Sequence, residues 1–362
     1  MNHLIEQYTI TTTPKYNFPH PTIDTTLPQR FTELSLHSLK HIQNQPIQLN
    51  QQNLQQTNNN EIINTIQLNT PPIPLKPLPQ PTTVAAVDTS SIKIGETNTG
   101  ILIAIRGANV WKQNRNYRYT RIGPFIFHIT EENKKEVYNT LQRAYFSTTR
   151  EGNYQNYLNM IQMPMRIASL LERWLQTMLA RTINNGLILF DGSLTSGTGD
   201  TPTQLMKETL SLARKRNNTV LAFSKMTTLR INGHLITDAL PENKPPYLLE
   251  THGLRTRPPI LLLGDVYVAR FNKEKYAFRL DIDREIAFPQ KIEAVEKLLG
   301  NESLSQSYPE TLRLAHILCT FTANEVIAMQ HFTVRDCGFR IINRPDMHKI
   351  LFGPFGKGEN YS

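Results

Sequence analysis

Three acidic side chains in this sequence stand where carboxylates need a reason to be. Asp88 closes the apolar run of "TTVAAVDTS", and Asp191 closes the run Leu187 to Phe190 in "GLILFDGSL". The carboxyl ends of strands in an open α/β sheet are where ligands bind. Each aspartate is also a good turn residue, since "DTS" and "DGS" both suit turns. Glu172 sharpens the case. In "RIASLLERWLQTML" it shares a helix face with Met165, Ala168, Leu175 and Leu179. That stripe should face the sheet, and a buried carboxylate there needs a cation or a hydrogen-bond partner. A salt bridge, for example to Arg106 or Arg121, is the plain reading. A divalent metal shared with the two aspartates is the functional one.

Two more segments join them. In "SYPETLRLAHILCTFTANEV", His316 shares a helix face with Leu312, Cys319, Thr320 and Ala323, and Tyr308 stands at the helix entrance. A lone histidine on an apolar face is usually a satisfied core residue. Imidazole is also a ligand for Mn²⁺-type ions alongside carboxylates. Lys225 ends the buried run "AFSKM"; it either neutralises a phosphate or simply marks the end of its strand. Asp88, Glu172, Asp191 and His316 are thus the candidate metal ligands, with Tyr308 and Lys225 as further catalytic candidates. Two divalent ions in such a set can generate a hydroxide and stabilise a leaving oxygen in phosphodiester hydrolysis. Oxygen ligands suit Mg²⁺ or Mn²⁺, and a histidine favours Mn²⁺.

The elements that must position these residues follow from the pattern. "TTVAAVDTS", "GILIAIRGANVW" and "RYTRIGPFIFHI" read as three strands in a meander. A helix follows over roughly Pro164 to Ile183, opening earlier near Glu151 in an alternative reading, with "NNG" at 184–186 as its stop. Next come the Asp191 strand, a helix over about Pro202 to Lys215, and the strand "NTVLAFSKM". "PILLLGDVYVARFN" and "KYAFRLDID" add two strands, then a helix near Lys291–Leu299 and a longer one from Pro309 to about Met329. The fold class expected is α/β, a mixed sheet flanked by helices.

Residues 41–80 are rich in Gln and Asn and then in Pro, the composition of a solvated arm closed by an extended spacer. The domain reading is an N-terminal arm over 1–80, a core over 81–340 and a tail over 341–362. The 362 residues carry 39 Lys+Arg against 30 Asp+Glu, a net +9. That balance favours a polyanionic partner, nucleic acid or an anionic membrane surface. Basic residues in "WKQNRNYRYTR" (111–121) and "ARKRNN" (213–218) are the candidate DNA path. Two cysteines, Cys319 and Cys337, make neither a disulfide scaffold nor a CxxC knuckle. The apolar runs are too short to span a bilayer, so a soluble, cytoplasmic protein is expected.

At these residues the sequence resembles the archaeal NurA nuclease family. "AVDTS" at 86–90 is similar to the family's first motif, with Thr89 where the family has glycine. "LFDGSL" at 189–194 resembles the second acidic motif. Glu172 falls at the helix glutamate between them, and "SYPETLRLAH" resembles the C-terminal Tyr-Pro…His segment. The resemblance covers roughly residues 80–335. It implies an RNase H-like, Piwi-like fold and a Mn²⁺-dependent dimeric deoxyribonuclease of 5′–3′ exonuclease and single-strand endonuclease type. It also implies a hexameric HerA-like ATPase as partner in DNA end resection for recombinational repair, hence a nucleoid association. The rivals are another RNase H-like enzyme (a resolvase, an Argonaute-like slicer) and a non-catalytic DNA-binding adaptor of an ATPase.

Overall fold

The structure is a computed structural model that describes residues 5–9, 26–40, 62–67, 71–146, 159–231, 234–238, 240, 243–273, 276–338 and 340–342. Most of the Gln/Asn-rich tract, the expected tail beyond 342 and the segment near Glu151 lie outside the described residues.

A ten-stranded mixed sheet organises the chain. In chain order its strands are β1 (Ile5–Thr9), β2 (Ile73–Pro74), β3 (Val84–Glu96), β4 (Gly100–Gln113), β5 (Asn116–Thr130), β6 (Leu187–Asp191), β7 (Thr219–Ser224), β8 (Tyr247–Glu250), β9 (Gly264–Arg270) and β10 (Phe278–Asp283). Their order across the sheet is β1-β5-β4-β3-β6-β7-β10-β9-β8-β2. The expected meander is present: β3 pairs antiparallel with β4, and β4 with β5. β6 runs parallel to β3, and β7 parallel to β6. An antiparallel meander whose first strand is followed sideways by two parallel strands is the RNase H-like core. The remaining strands extend it as an antiparallel wing.

Strand alternation sends successive side chains to opposite faces, and the two faces are covered by different helices. Ala85, Val87, Ile188, Phe190, Val220 and Ala222 pack with α3 (Met163–Thr182) and α4 (Thr203–Lys215). Val84, Ala86, Leu187, Leu189, Leu221 and Phe223 pack with α5 (Phe288–Asn301) and α6 (Glu310–Cys319). α3 begins with Pro164 in its first turn and ends at Ile183, whose backbone is extended. Asn185, inside the expected stop, has φ +51°.

Several expectations change. The single long helix from Pro309 is two: α6 ends at Cys319 and a separate helix spans Ala323–Cys337. The break is a capping box, with Thr322 Oγ1 accepting from Glu325 N and Glu325 accepting from Thr322 N. A helix not expected from the sequence, α2, spans Lys134–Phe146, and another, α1, spans Thr26–Lys40, whose Phe31 is fully buried against Phe125 and Phe127. Packing also begins before Thr82. β2 pairs with β8, Leu75 is buried, and Leu78 N donates to Glu296 O. The Pro-rich stretch therefore lies along the wing. Proline at an edge strand costs no ladder bond, because its missing donor faces away from the partner. No helix among the described residues is long and apolar enough to cross a membrane.

Candidate active site

Asp88 is not at the end of its strand. β3 continues eight residues beyond it, to Glu96. What ends at Asp88 is the parallel neighbour: the last paired positions of β3 and β6 are Val87 and Phe190, so Asp88 and Asp191 come next on adjacent strands. Alternation puts both on the face that carries α6, because Ala86 and Leu189, two residues earlier, pack there. β7 adds Lys225 to the same face just past its end, two residues after Phe223.

The turn after Asp191 is fixed by backbone contacts. Gly192 adopts φ +104°, a conformation that L side chains avoid, while its N–H donates to Phe223 O at 2.7 Å. Ser224 Oγ donates to Gly192 O at 2.9 Å, tying β6 to β7 at the level of the site. On the opposite face Gly107, which pairs with Thr89, allows α3 a close approach. A Cβ there would lie 2.6 Å from Leu175 Cδ1. Leu175 is one turn from Glu172, so this approach sets the depth at which Glu172 meets the strand. Thr89, where the family has glycine, keeps regular pairing and donates its hydroxyl to Ala168 O of α3 at 3.3 Å.

Four of the candidate side chains are paired. His316 Nδ1 donates to Asp88 Oδ2 at 2.8 Å, and Asp88 Oδ1 accepts from Thr89 N at 2.7 Å. Lys225 Nζ lies 2.7 Å from Asp191 Oδ2. His316 is not a core histidine, since its side chain is 55 % exposed. The Asp88 hydrogen bond holds its imidazole above the usual range. Burial pushes Asp191 up, against the pull of Lys225.

Glu172 reaches the group from the other face of the sheet. It pairs with neither Arg106 nor Arg121, since both contact Glu325 instead, at 2.7 and 3.1 Å. It accepts from Gln176 Nε2 at 2.9 Å, and the Arg173 guanidinium stands at 3.7 Å. Burial raises its carboxyl from the ordinary 4.5 to about 7, and the charges of Asp88 and Asp191 push the same way. Desolvation is the main cause of the rise, and the Arg173 guanidinium opposes it. Met165, expected on the buried stripe, is 63 % exposed.

Tyr308 precedes α6 and closes the site. Its ring packs edge-on against Phe223, with Lys225 Nζ 5.7 Å from the ring centre. Its hydroxyl is buried, and among the described residues it has no hydrogen-bond partner. Burial and the two aspartates raise it. One nearby residue was not singled out in the sequence as a ligand. Cys319, a helical turn from His316, offers a sulfur within 4.8 Å of the Asp88 and His316 donors. The spacing His-x-x-Cys on one helix was the available signal.

Asp88, Asp191 and Glu172 act on one another electrostatically, burial being the largest cause of the rise at Glu172 and Asp191, and His316 stands beside Asp88; carboxylates with one imidazole are donors that suit a hard divalent cation. The expected basic runs do not line this edge. Residues 213–218 precede β7, whose opposite end carries Lys225, about 20 Å away for a six-residue strand. Arg214 there is engaged by Asp283 and Glu285. In 111–121, Arg118 is buried, Arg121 binds Glu325, and Lys112 sits over the Tyr117 ring. Those four charges are absorbed by the fold, while Arg115, Lys215 and Arg216 of the same runs are exposed.

Residues 82–247 match the NurA domain. The structure is similar to the crystal structure of the NurA nuclease from Sulfolobus solfataricus, at 14 % identity and TM-score 0.42, covering 73 % of this chain and 88 % of that one. It is also similar to an Endonuclease V from Bacillus subtilis, at 13 % identity and TM-score 0.30, covering 73 % of this chain and 88 % of that chain. A third similar structure is the A. aeolicus Argonaute, at 11 % identity and TM-score 0.24, covering 68 % of this chain and 28 % of that one. No curated protein matches the sequence. The matched segment holds Asp88, Glu172, Asp191 and Lys225.

Proposed function

We propose that the chain is a metal-dependent nuclease that hydrolyses DNA phosphodiesters at the Asp88–Glu172–Asp191 edge. The observation that carries this reading is Glu172, a carboxyl raised to about 7 by burial and by two aspartates from other elements. A divalent cation relieves that charge, and the family match supports a nuclease. Asp88, Glu172, Asp191 and His316 would hold Mn²⁺ or Mg²⁺, with room in the reading for two ions. The bound metal supplies a nucleophilic hydroxide and charge stabilisation on the leaving oxygen.

The chain's own groups divide the remaining work. Lys225, 39 % exposed beside Asp191, neutralises an incoming phosphate. The Tyr308 hydroxyl, without a partner in the described structure, donates to a phosphate oxygen. His316 keeps its Nδ1–H on Asp88, which leaves Nε2 as the atom that binds the ion or moves a proton.

The wider reading follows the family. The chain forms a homodimer, docks on a HerA-like hexameric ATPase and resects DNA ends as a cytoplasmic, nucleoid-associated enzyme. The catalytic domain takes in residues 81–340 together with the strands Ile5–Thr9 and Ile73–Pro74 and the helix Thr26–Lys40, which pack into it. Cleavage of labelled single- and double-stranded DNA, with Mn²⁺, Mg²⁺ or EDTA, tests the chemistry. Cleavage with metal and none with EDTA is expected, and cleavage insensitive to EDTA contradicts the metal role. Light scattering tests the dimer. Co-purification with a HerA-like protein tests the partner, and failure to form a complex removes that part alone.

A further inference from the structure

We propose that Asp88, His316 and Cys319 form a thiol-containing Zn²⁺ site, separate in donor chemistry from the oxygen-rich set that serves a hard cation. The three residues each offer one ligand atom, all within 4.8 Å of one another, a group to which neither Asp191 nor Glu172 belongs. Two of the donors are built into one helix. His316 and Cys319 are three residues apart on α6, so they stand on the same side, and Cys319 Sγ donates to His316 O at 3.2 Å. The third is delivered by the sheet, with Asp88 Oδ2 at 2.8 Å from His316 Nδ1.

A sulfur, an imidazole nitrogen and a carboxylate oxygen are the donors that Zn²⁺ takes, and three protein ligands leave its fourth position for water. Mg²⁺ and Mn²⁺ prefer oxygen and gain little from the thiol. Donors around a tetrahedral zinc lie ~2.0–2.3 Å from the metal and hence roughly 3.3–3.8 Å apart. Seating an ion therefore takes movements of about an ångström, the sulfur drawing inward while the 2.8 Å Asp88–His316 hydrogen bond opens. The path in is also visible. His316 is 55 % exposed and Asp88 10 %, while Cys319 is buried, so the ion enters past the imidazole and comes to rest on the sulfur. As the metal bonds form, the thiol proton passes to solvent, and His316 binds through whichever ring nitrogen carries no proton, its one ring proton staying on the other nitrogen. Zinc seated here takes Asp88 and His316 away from the hard-cation set and so blocks cleavage supported by Mn²⁺. That consequence, unlike the binding itself, rests on the nuclease reading.

The test is titration of the full-length chain with Co²⁺, which reports a cysteine ligand by a near-ultraviolet sulfur-to-cobalt charge-transfer band. One equivalent should bring up the band, and Zn²⁺ should bleach it. Cys319→Ser should lose it and Cys337→Ser should keep it. His316→Ala, a change at an exposed side chain, should weaken Co²⁺ binding by more than ~100-fold, the upper end of the loss from an outer-shell partner. It serves also if Cys319→Ser fails to fold. Absence of the band, its survival in Cys319→Ser, or its loss in Cys337→Ser overturns the assignment. Zinc inhibition of Mn²⁺-supported cleavage, each variant compared with its own zinc-free rate, should weaken similarly in Cys319→Ser. If no ion supports cleavage by the wild-type chain, the nuclease reading fails while the cobalt band still decides this site.

Discussion

His316 and Asp88 are 228 residues apart in the chain and 2.8 Å apart in space. The contact closes helix α6 over the strand that carries the first carboxylate. It ties the Tyr308–His316 segment to a sheet edge assembled from β3, β6 and β7.

Tyr308→Phe should separate stability from activity. Its hydroxyl is buried without a partner among the described residues. Removing an unsatisfied buried group costs nothing and gains up to about 1 kcal/mol. Urea unfolding should show a midpoint equal to or above wild type, while kcat falls at least ~10-fold through loss of one donor to the phosphate. A less stable variant with full activity contradicts both halves.

Glu325→Ala should destabilise the chain without touching the carboxylates. Glu325 caps the Ala323–Cys337 helix and accepts from Arg106, whose side chain is only 4 % exposed. Loss of the cap and of the partner of a buried guanidinium should together cost about 2–4 kcal/mol. Against the upward push of burial, the Arg106 and Thr322 contacts hold Glu325 down at about 2. A change below 0.5 kcal/mol in denaturant unfolding would show the cluster to be incidental.

His128 should set part of the acid limit. It is fully buried, Nε2 lies 2.8 Å from Thr97 Oγ1, and burial lowers it from 6.5 to about 4. Between these values the unfolded chain takes up a proton that the native chain refuses. Stability is therefore complete above pH 6.5 and falls with acid, by on the order of 3 kcal/mol at pH 4. In His128→Gln that part of the slope should vanish. An unchanged pH profile of unfolding in the variant would remove His128 from this role.

Much of this arrangement was legible from apolar runs that end in charge. Asp88, Asp191 and Lys225 each follow such a run, and the three-strand meander and α3 follow from periodicity. Where β3 ends was not legible, because Asp88 marks the end of its neighbour's pairing and not of its own strand. The split between α6 and the last helix was written in Thr322-x-x-Glu325, but an apolar sequence running through it reads as one helix. The Lys134–Phe146 helix buries Val137, Tyr138 and Leu141, a short stripe in a polar sequence. Cys319 read as an apolar neighbour of His316, because only the fold brings Asp88 to the pair. The basic runs were legible as charge and not as location, since their partners Glu325, Asp283 and Glu285 are distant in sequence.

Metal binding should depend on Glu172. In wild type, saturating Mn²⁺ should raise the unfolding temperature, because an ion bound only by the native state stabilises it. Glu172→Gln keeps the shape and removes the charge that the two aspartates oppose. Its Mn²⁺-induced shift should be less than half that of wild type by calorimetry. An equal shift would place the ion elsewhere.

The most direct measurement is the single-turnover cleavage rate of end-labelled DNA in Mn²⁺ for wild type, Asp88→Asn and Asp191→Asn, with DNA binding measured on the same samples. If these carboxylates hold the ion, each amide removes ~4 kcal/mol or more of transition-state stabilisation. The rate should then drop at least ~10³-fold, with DNA affinity within a few-fold of wild type. Cleavage at the wild-type rate by either folded variant would contradict the assignment of the metal to this sheet edge.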